Sequence, residues 1–139
     1  MDEPELGYKL MAVDSNIRIL VVDDFLPMRK SILEALKMLK FTNVQDAENG
    51  VMALEKLEAE KFDLVISDWT MPEMDGLELL EKIKANENLK HIPVMMATAE
   101  ADPDKILKAI KAGAATYIVK PITVRTLMTK IEKIFNPTA

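Results

Sequence analysis

With 139 residues, of which 49% are hydrophobic and 29% charged, the chain has the length and composition of one globular domain with its own core. A formal net charge of −5 argues against electrostatic capture of nucleic acid, which needs clustered Lys and Arg. Cysteine is absent and no apolar run reaches the roughly 20 residues that span a bilayer, so we expect a soluble, cytoplasmic monomer with neither membrane nor nucleic-acid partners.

The first 14 residues show no hydrophobic period. They contain Pro4, Gly7 and several acids, and they lack the basic and apolar regions of a signal peptide. This pattern predicts a flexible N-terminal extension over residues 1–14, followed by a single domain over residues 15–137.

Short apolar stretches alternate five times with stretches of helical period along the rest of the chain. The predicted strands cover residues 17–22, a weak segment around residue 44 that ends near 47, and residues 64–66, 92–97 and 116–119. The predicted helices cover residues 27–39, a second beginning at about 49, a third beginning at about 76, and residues 103–113 and 124 onward, the last two capped by Asp102 and Thr123.

The strands are short and mostly apolar, without the alternation of a half-exposed sheet. This is typical of a parallel sheet covered by helices on both faces. Right-handed crossovers leave few topologies, and we predict a flavodoxin-like (βα)5, doubly wound five-stranded parallel sheet of order 2-1-3-4-5. In that order the first and third strands are neighbours. Asp23 and Asp24, which end the first strand, should then share one pocket with Asp68, which ends the third.

Three carboxylates a few ångströms apart repel one another, and a divalent cation is the simplest compensation. Because the donors are oxygens and no Cys or His lies at these strand ends, Mg²⁺ is the expected ion. Mg²⁺ bound by a few carboxylates commonly completes its coordination with phosphate oxygens. The acids therefore indicate phosphoryl chemistry.

Two further side chains end strands on the other side of the same pocket. Thr98 ends the fourth strand and Lys120 the fifth, and a hydroxyl and an ammonium suit the oxygens of a transferring phosphoryl group. A carboxylate can act as the nucleophile and form an aspartyl phosphate. The central position of Asp68 favours it for that role, whereas the adjacent pair Asp23 and Asp24 suits metal binding.

Each of these residues also has a simpler interpretation. Asp24 could cap the first helix, Thr98 could be an ordinary strand-end threonine, and Lys120 could be a solvated charge. The backbone of Lys120 is restricted by Pro121, and the bond between them could be cis or, as is commoner, trans. Their combination at predicted strand ends favours a shared site.

Six short stretches together carry a family resemblance. They are residues 21–25 (VVDDF), 47–50 (AENG), 65–69 (VISDW), 74–80 (MDGLELL), 98–101 (TAEA) and 119–121 (VKP). On these motifs the chain resembles two-component receiver domains, and among them the stand-alone chemotaxis response regulators. The resemblance covers about residues 16–136.

The resemblance implies a role for each residue of the pocket. Asp68 would accept a phosphoryl group from a chemotaxis-type sensor histidine kinase. Asp24, Asp68 and the backbone carbonyl of Thr70 would hold Mg²⁺, with Asp23 assisting through water. Lys120 and Thr98 would contact the phosphoryl group.

The family's output is a change of the partner-binding face. By the resemblance, Tyr117 would be an aromatic switch that turns inward when Thr98 moves toward the phosphate. The partner would be the flagellar motor switch, and a phosphatase could act on the phosphorylated form. The protein would then be a phosphoacceptor signalling protein with self-catalysed phosphotransfer and autodephosphorylation, and not an enzyme in the usual sense.

Two positions depart from the chemotaxis pattern. Thr70 stands where these regulators often carry Asn, which affects the lifetime of the phosphate. Asp102 and Asp104 open the fourth helix where the best-known relatives carry lysines, which affects partner choice.

Three alternatives stay open. The receiver could act as a phosphate sink or regulate a protein other than the motor, or it could be a degenerate interaction module. The chain could also be a phosphotransferase or phosphatase with an Asp nucleophile, although such enzymes commonly carry a second acid where this chain has Thr70.

Overall fold

The computed structural model describes residues 13–136 of the chain. The predicted extension over residues 1–14 lies almost entirely outside the described residues, as does the predicted domain end at residue 137. Both boundaries stay predictions.

Five strands and five helices alternate along the described residues. The strands are β1 (Arg18–Val22), β2 (Asn43–Ala47), β3 (Leu64–Asp68), β4 (Val94–Thr98) and β5 (Thr116–Val119). The helices are α1 (Leu26–Met38), α2 (Gly50–Ala59), α3 (Gly76–Ala85), α4 (Pro103–Lys111) and α5 (Val124–Phe135). The strands form one parallel sheet in the order β2-β1-β3-β4-β5, which confirms the predicted topology.

The sheet separates two apolar layers, because neighbouring side chains of a strand point to opposite faces. Ile19 and Val21 of β1 belong to the layer formed with α1 and α5. Leu20 and Val22 of the same strand belong to the layer formed with α2 and α3. All residues of β3 and β4 are buried, as expected for strands covered on both faces.

The strand ends are aligned by the pairing register. Val22 of β1 lies beside Ser67 of β3, so Asp23 follows at the level of Asp68. Asp68 in turn lies beside Ala97 of β4, and Thr98 beside Val119 of β5. The polar residues that end four different strands therefore meet at one edge of the sheet.

Side-chain caps mark the start of α2, α3, α4 and α5, whereas α1 begins without a side-chain cap hydrogen bond. The predicted caps at Asp102 and Thr123 are present: Asp102 accepts from the backbone N–H of Asp104, and Thr123 forms a reciprocal capping box with Thr126. Asp75 caps α3 by accepting from the backbone N–H of Glu78. This cap fixes the start of the helix that follows the loop after β3.

Helix α4 buries fewer of its apolar side chains than the hydrophobic period of its sequence predicts. Ala109 is its one buried residue, whereas Leu107 and Ile110 are 51% and 44% exposed. Its apolar residues therefore lie partly on the surface. No helix among residues 13–136 combines the length and the apolar character needed to cross a membrane.

Candidate functional site

Three carboxylates converge at the carboxyl edge of the sheet, where β1 and β3 lie side by side. Oxygen atoms of Asp23, Asp24 and Asp68 all lie within 4.8 Å of one another. Asp23 is fully buried and Asp68 nearly so, whereas Asp24 is exposed. Two acids of the cluster are therefore buried, and the third is open to solvent.

The carboxylate of Asp23 is held from two sides. Its Oδ1 accepts a hydrogen bond of 2.9 Å from the backbone N–H of Phe25, and its Oδ2 lies 3.5 Å from Nζ of Lys120. Burial raises the pKa of the Asp23 carboxyl, and the nearby charge of Asp68 raises it further, although the Phe25 and Lys120 contacts oppose this. In the absence of a metal, the ionised form of Asp23 therefore lowers the free energy of unfolding.

This cost predicts a pH-dependent effect of Asp23→Asn. The folded-state pKa of Asp23 lies above its unfolded value, so its contribution to stability decreases as pH rises through that interval. We expect Asp23→Asn, in the presence of a chelator, to unfold at higher urea concentration than wild type at pH 7. The gain should shrink as pH falls toward the unfolded-state value. Urea titrations at several pH values measure it, and a gain that grows toward low pH would contradict the assignment.

Lys120 supplies the positive charge of the pocket. Its Nζ donates to Oδ1 of Asp68 at 2.7 Å, and its backbone N–H donates to the carbonyl of Thr98 at 2.8 Å. The Lys120–Pro121 peptide bond is cis, which resolves the alternative left open by the sequence. One ammonium among three carboxylates leaves two negative charges uncompensated when all are ionised.

The donor set fits a magnesium ion. Carboxylate oxygens from two neighbouring strand ends, one of them exposed to solvent, suit an ion that prefers oxygen ligands and retains several waters. The two uncompensated negative charges match a divalent cation. Asp23, Asp24 and Asp68 are the residues that would hold it.

The remaining predicted residues surround this cluster. Thr98 is buried, and its Oγ1 donates to the carbonyl of Glu100 at 3.2 Å and so faces its own turn. Thr70 is exposed in the loop between β3 and α3. Tyr117 is half-buried on β5, where Nζ of Lys130 lies 4.4 Å from the centre of its ring. Thr98 thus borders the acids, and Tyr117 lies on the neighbouring strand.

Close backbone packing shapes the loop after Asp68. The backbone N–H of Gly76 donates to the carbonyl of Trp69 at 2.7 Å. A Cβ atom on Gly76 would lie 2.1 Å from the carbonyl oxygen of Asp68, so this position has no room for any side chain. The amino end of α3 therefore lies directly against the strand end that presents Asp68.

Arg29 also contacts the site, although the sequence did not predict it. Arg29 of α1 donates from Nη1 to the backbone carbonyl of Asp23 at 2.6 Å and from Nε to Oδ2 of Asp46 at 2.7 Å. The sequence carries only a faint signal for this contact, because Asp46 belongs to the weakest predicted strand. A basic residue one turn into the helix that follows the acids was the available clue.

With this geometry established, comparison with known proteins identifies the family. The family model of the response regulator receiver domain matches residues 19–132. The chain belongs to the receiver domain family. The match includes all five strands apart from Arg18, the first residue of β1, and all of α5 but its last three residues, so the described fold is that of the receiver domain.

Individual receiver proteins are similar over most of their length. The chemotaxis protein CheY-3 of Vibrio cholerae is 48% identical over 124 residues, covering 89% of this chain and 95% of that protein. The crystallised chemotaxis protein CheY4 of V. cholerae superposes with a TM-score of 0.80 at 30% identity, covering 86% of this chain and 98% of that one. These matches confirm the resemblance to chemotaxis-type receivers and the flavodoxin-like fold.

A third relative bears on the metal. The receiver domain of a sensor histidine kinase from Pseudomonas aeruginosa PAO1 has a magnesium ion coordinated in its active site cleft. It superposes with a TM-score of 0.78 at 25% identity, covering 86% of this chain and 98% of that chain. The receiver fold therefore accommodates magnesium in that relative.

Proposed function

We propose that the protein is a phosphorylation-activated response regulator of two-component, chemotaxis-type signalling in the cytoplasm. Asp68 is the phosphoacceptor, and a sensor histidine kinase is the donor. The observation that carries this proposal is the position of Asp68 between two other carboxylates and the ammonium of Lys120. A nucleophile, a cation-binding acid pair and a fixed positive charge are the parts that phosphoryl transfer needs.

The transfer uses an oxygen of Asp68 as the nucleophile. That oxygen forms a bond to the phosphorus of the donor's phosphohistidine while the phosphorus–nitrogen bond breaks. The imidazole nitrogen leaves with the electron pair and takes a proton from solvent. Asp68 is then an acyl phosphate, and hydrolysis of that bond by water returns the free carboxylate.

The neighbouring side chains prepare the pocket for this charge. Lys120, already 2.7 Å from Asp68, can follow the negative charge onto the phosphoryl oxygens. Magnesium held by Asp23, Asp24, Asp68 and the backbone carbonyl of Thr70 would neutralise phosphoryl oxygens and lower the repulsion between carboxylate and donor. Thr70, exposed in the loop that follows Asp68, carries a short hydroxyl side chain where chemotaxis regulators often have Asn, and this difference bears on the attacking water.

Thr98 connects the phosphoryl group to the rest of the domain. Its hydroxyl forms hydrogen bonds within its own turn, at 3.2 Å to the carbonyl oxygen and 3.4 Å to the backbone nitrogen of Glu100. These are long hydrogen bonds, so a phosphoryl oxygen is a competitive partner. Movement of Thr98 toward it would free space for the ring of Tyr117, which would have to leave Lys130. Tyr117 is the proposed switch.

By the resemblance to chemotaxis receivers, α4 belongs to the partner-binding face, and its surface bears on the choice of partner. Its exposed Leu107 and Ile110 offer apolar contact area, and a flagellar motor switch protein is the first candidate to bind there. The acidic first turn, Asp102 to Asp104, favours a second candidate, a receiver that acts as a phosphate sink or regulates another protein. Binding of the phosphorylated protein to a purified motor switch protein distinguishes the two.

The proposal is tested by phosphorylation in solution. We expect wild-type protein incubated with acetyl phosphate and Mg²⁺ to gain the mass of one phosphoryl group, and to lose this gain when a chelator is added first. Trp69, the single tryptophan of the sequence, follows Asp68 directly and should report both steps by fluorescence. A protein that binds Mg²⁺ but never gains mass would contradict the function and favour a degenerate interaction module.

A further inference from the structure

We propose that Arg29 is a positioning residue for the metal-binding acids, and that Asp46 cancels its charge so that a cation can still bind beside it. Neither residue belongs to the six stretches that carry the family resemblance. It rests on the proposed function, because it assumes that the acid cluster binds a divalent cation.

Arg29 fixes the turn that carries the acids. The peptide group between Asp23 and Asp24 is held through its carbonyl by Nη1 of Arg29 at 2.6 Å. The backbone N–H of Asp23 is held at 3.2 Å by the carbonyl of Ala47 on β2. The direction of this peptide determines where the chain places Asp24.

Asp24 depends on its backbone more than Asp23 does. The carboxylate of Asp23 has its own hydrogen bond from Phe25 and the nearby ammonium of Lys120. Asp24 is exposed, and no hydrogen bond to its carboxylate is found within residues 13–136. The Arg29 bond is therefore a major constraint on where that carboxylate lies.

The guanidinium itself would disfavour a cation. A positive charge in contact with the backbone of the acid pair repels a divalent ion, and Arg29 is largely buried, with 11% of its side chain exposed. Asp46 offsets this effect by pairing with Nε at 2.7 Å. Arg29 can therefore hold the carbonyl of Asp23, while its pairing with Asp46 weakens its repulsion of a bound cation.

The charge of Arg29 and its positioning role have opposite expected effects on Mg²⁺ affinity, so a single substitution can separate them. If Arg29 acted only through its charge, Arg29→Met would remove a repulsive charge, leave Asp46 negative, and make Mg²⁺ bind more tightly. If Arg29 positions the acids, the same variant should bind Mg²⁺ about tenfold more weakly, as is typical when an outer-shell partner is lost. A purely structural role would lower stability and leave the affinity unchanged.

The experiment is a Mg²⁺ titration of the metal-free protein, followed by Trp69 fluorescence and by calorimetry, with thermal unfolding of each variant measured alongside. Arg18→Met is the matched control. It also removes an arginine ion-paired to an acid, Glu60, but at the opposite end of β1. We expect its dissociation constant for Mg²⁺ to stay within about twofold of wild type, because exposed charges at the far end of the strand are screened by salt.

Arg29→Lys is the second variant, in case Arg29→Met does not fold. A lysine keeps the charge but lacks the planar fork that reaches both acceptors. We expect the Arg29→Lys protein to bind Mg²⁺ more weakly than the wild-type protein does. Mg²⁺ affinity equal to or tighter than wild type in either folded variant would overturn the inference. A wild-type protein that binds no Mg²⁺ would instead contradict the proposed function itself.

Discussion

Asp68→Asn is expected to abolish covalent phosphorylation by acetyl phosphate, a complete loss and not a reduction in rate. An amide in place of the carboxylate cannot form an acyl phosphate. Its fold should persist, because Asn keeps the shape of the side chain and an oxygen that can accept from Lys120 at the present 2.7 Å. Intact mass after incubation with acetyl phosphate and Mg²⁺ measures the effect.

Asp24→Asn is the matched control for this substitution. It removes one carboxylate from the same cluster at an exposed position. We expect weaker Mg²⁺ binding and slower labelling, but the same final gain of one phosphoryl group. If Asp68→Asn were still phosphorylated while Asp24→Asn was not, the nucleophile would be Asp24 and the assigned roles would be reversed.

Gly76→Ala is expected to destabilise the protein by about 3 kcal/mol, at the upper end of the usual cost of overpacking. The added Cβ would lie 2.1 Å from the carbonyl oxygen of Asp68 and 2.9 Å from Cε of Met96. The methionine can move, but the carbonyl belongs to the end of a buried strand. The helix must therefore shift, and Asp68 with it. Urea unfolding measures the loss, and labelling by acetyl phosphate should slow in the same variant.

Gly50→Ala is the control, because Gly50 also opens a helix. There the three atoms nearest to the added Cβ all belong to the side chain of Met74, with its sulfur at 2.8 Å, its Cγ at 3.0 Å and its Cβ at 3.1 Å, and no backbone atom is among them. We expect a change of less than about 1 kcal/mol, because a flexible methionine side chain adapts. Equal effects of the two alanine substitutions would show that the contact with Asp68 is not the cause.

Much of the site could be predicted because its residues directly follow apolar strands. Asp23, Asp68, Thr98 and Lys120 each follow or end a run that has to be buried, and parallel strands end at one edge of the sheet. The sheet order then followed from the right-handed crossover rule, which leaves few alternatives. Local pattern and simple topology were sufficient for these positions.

Other features depend on contacts between distant residues and were not predictable. Asp23 and Asp24 are adjacent in sequence, yet only Asp23 is buried, and this burial raises the pKa of the Asp23 carboxyl. The pair formed by Arg29 and Asp46 joins a helix to the edge strand β2, which shows little hydrophobic pattern. Tertiary packing decides both features.

The α4 helix shows a different limit. Its hydrophobic period predicts a helix, and the helix is present, but Leu107 and Ile110 remain partly exposed. Period alone identifies an apolar stripe and does not show how much of it the sheet covers. An uncovered stripe beside an acidic first turn is a property of this surface that only the packed structure reveals.

The central claim, that Asp68 carries the phosphoryl group, is tested most directly by locating that group in the labelled protein. Borohydride reduces an acyl phosphate on Asp to homoserine, and tandem mass spectrometry of the resulting peptides identifies the modified position. We predict homoserine at position 68 alone, and none when Mg²⁺ has been chelated. Homoserine at position 23 or 24, or a phosphoryl group that resists reduction, would contradict the assignment.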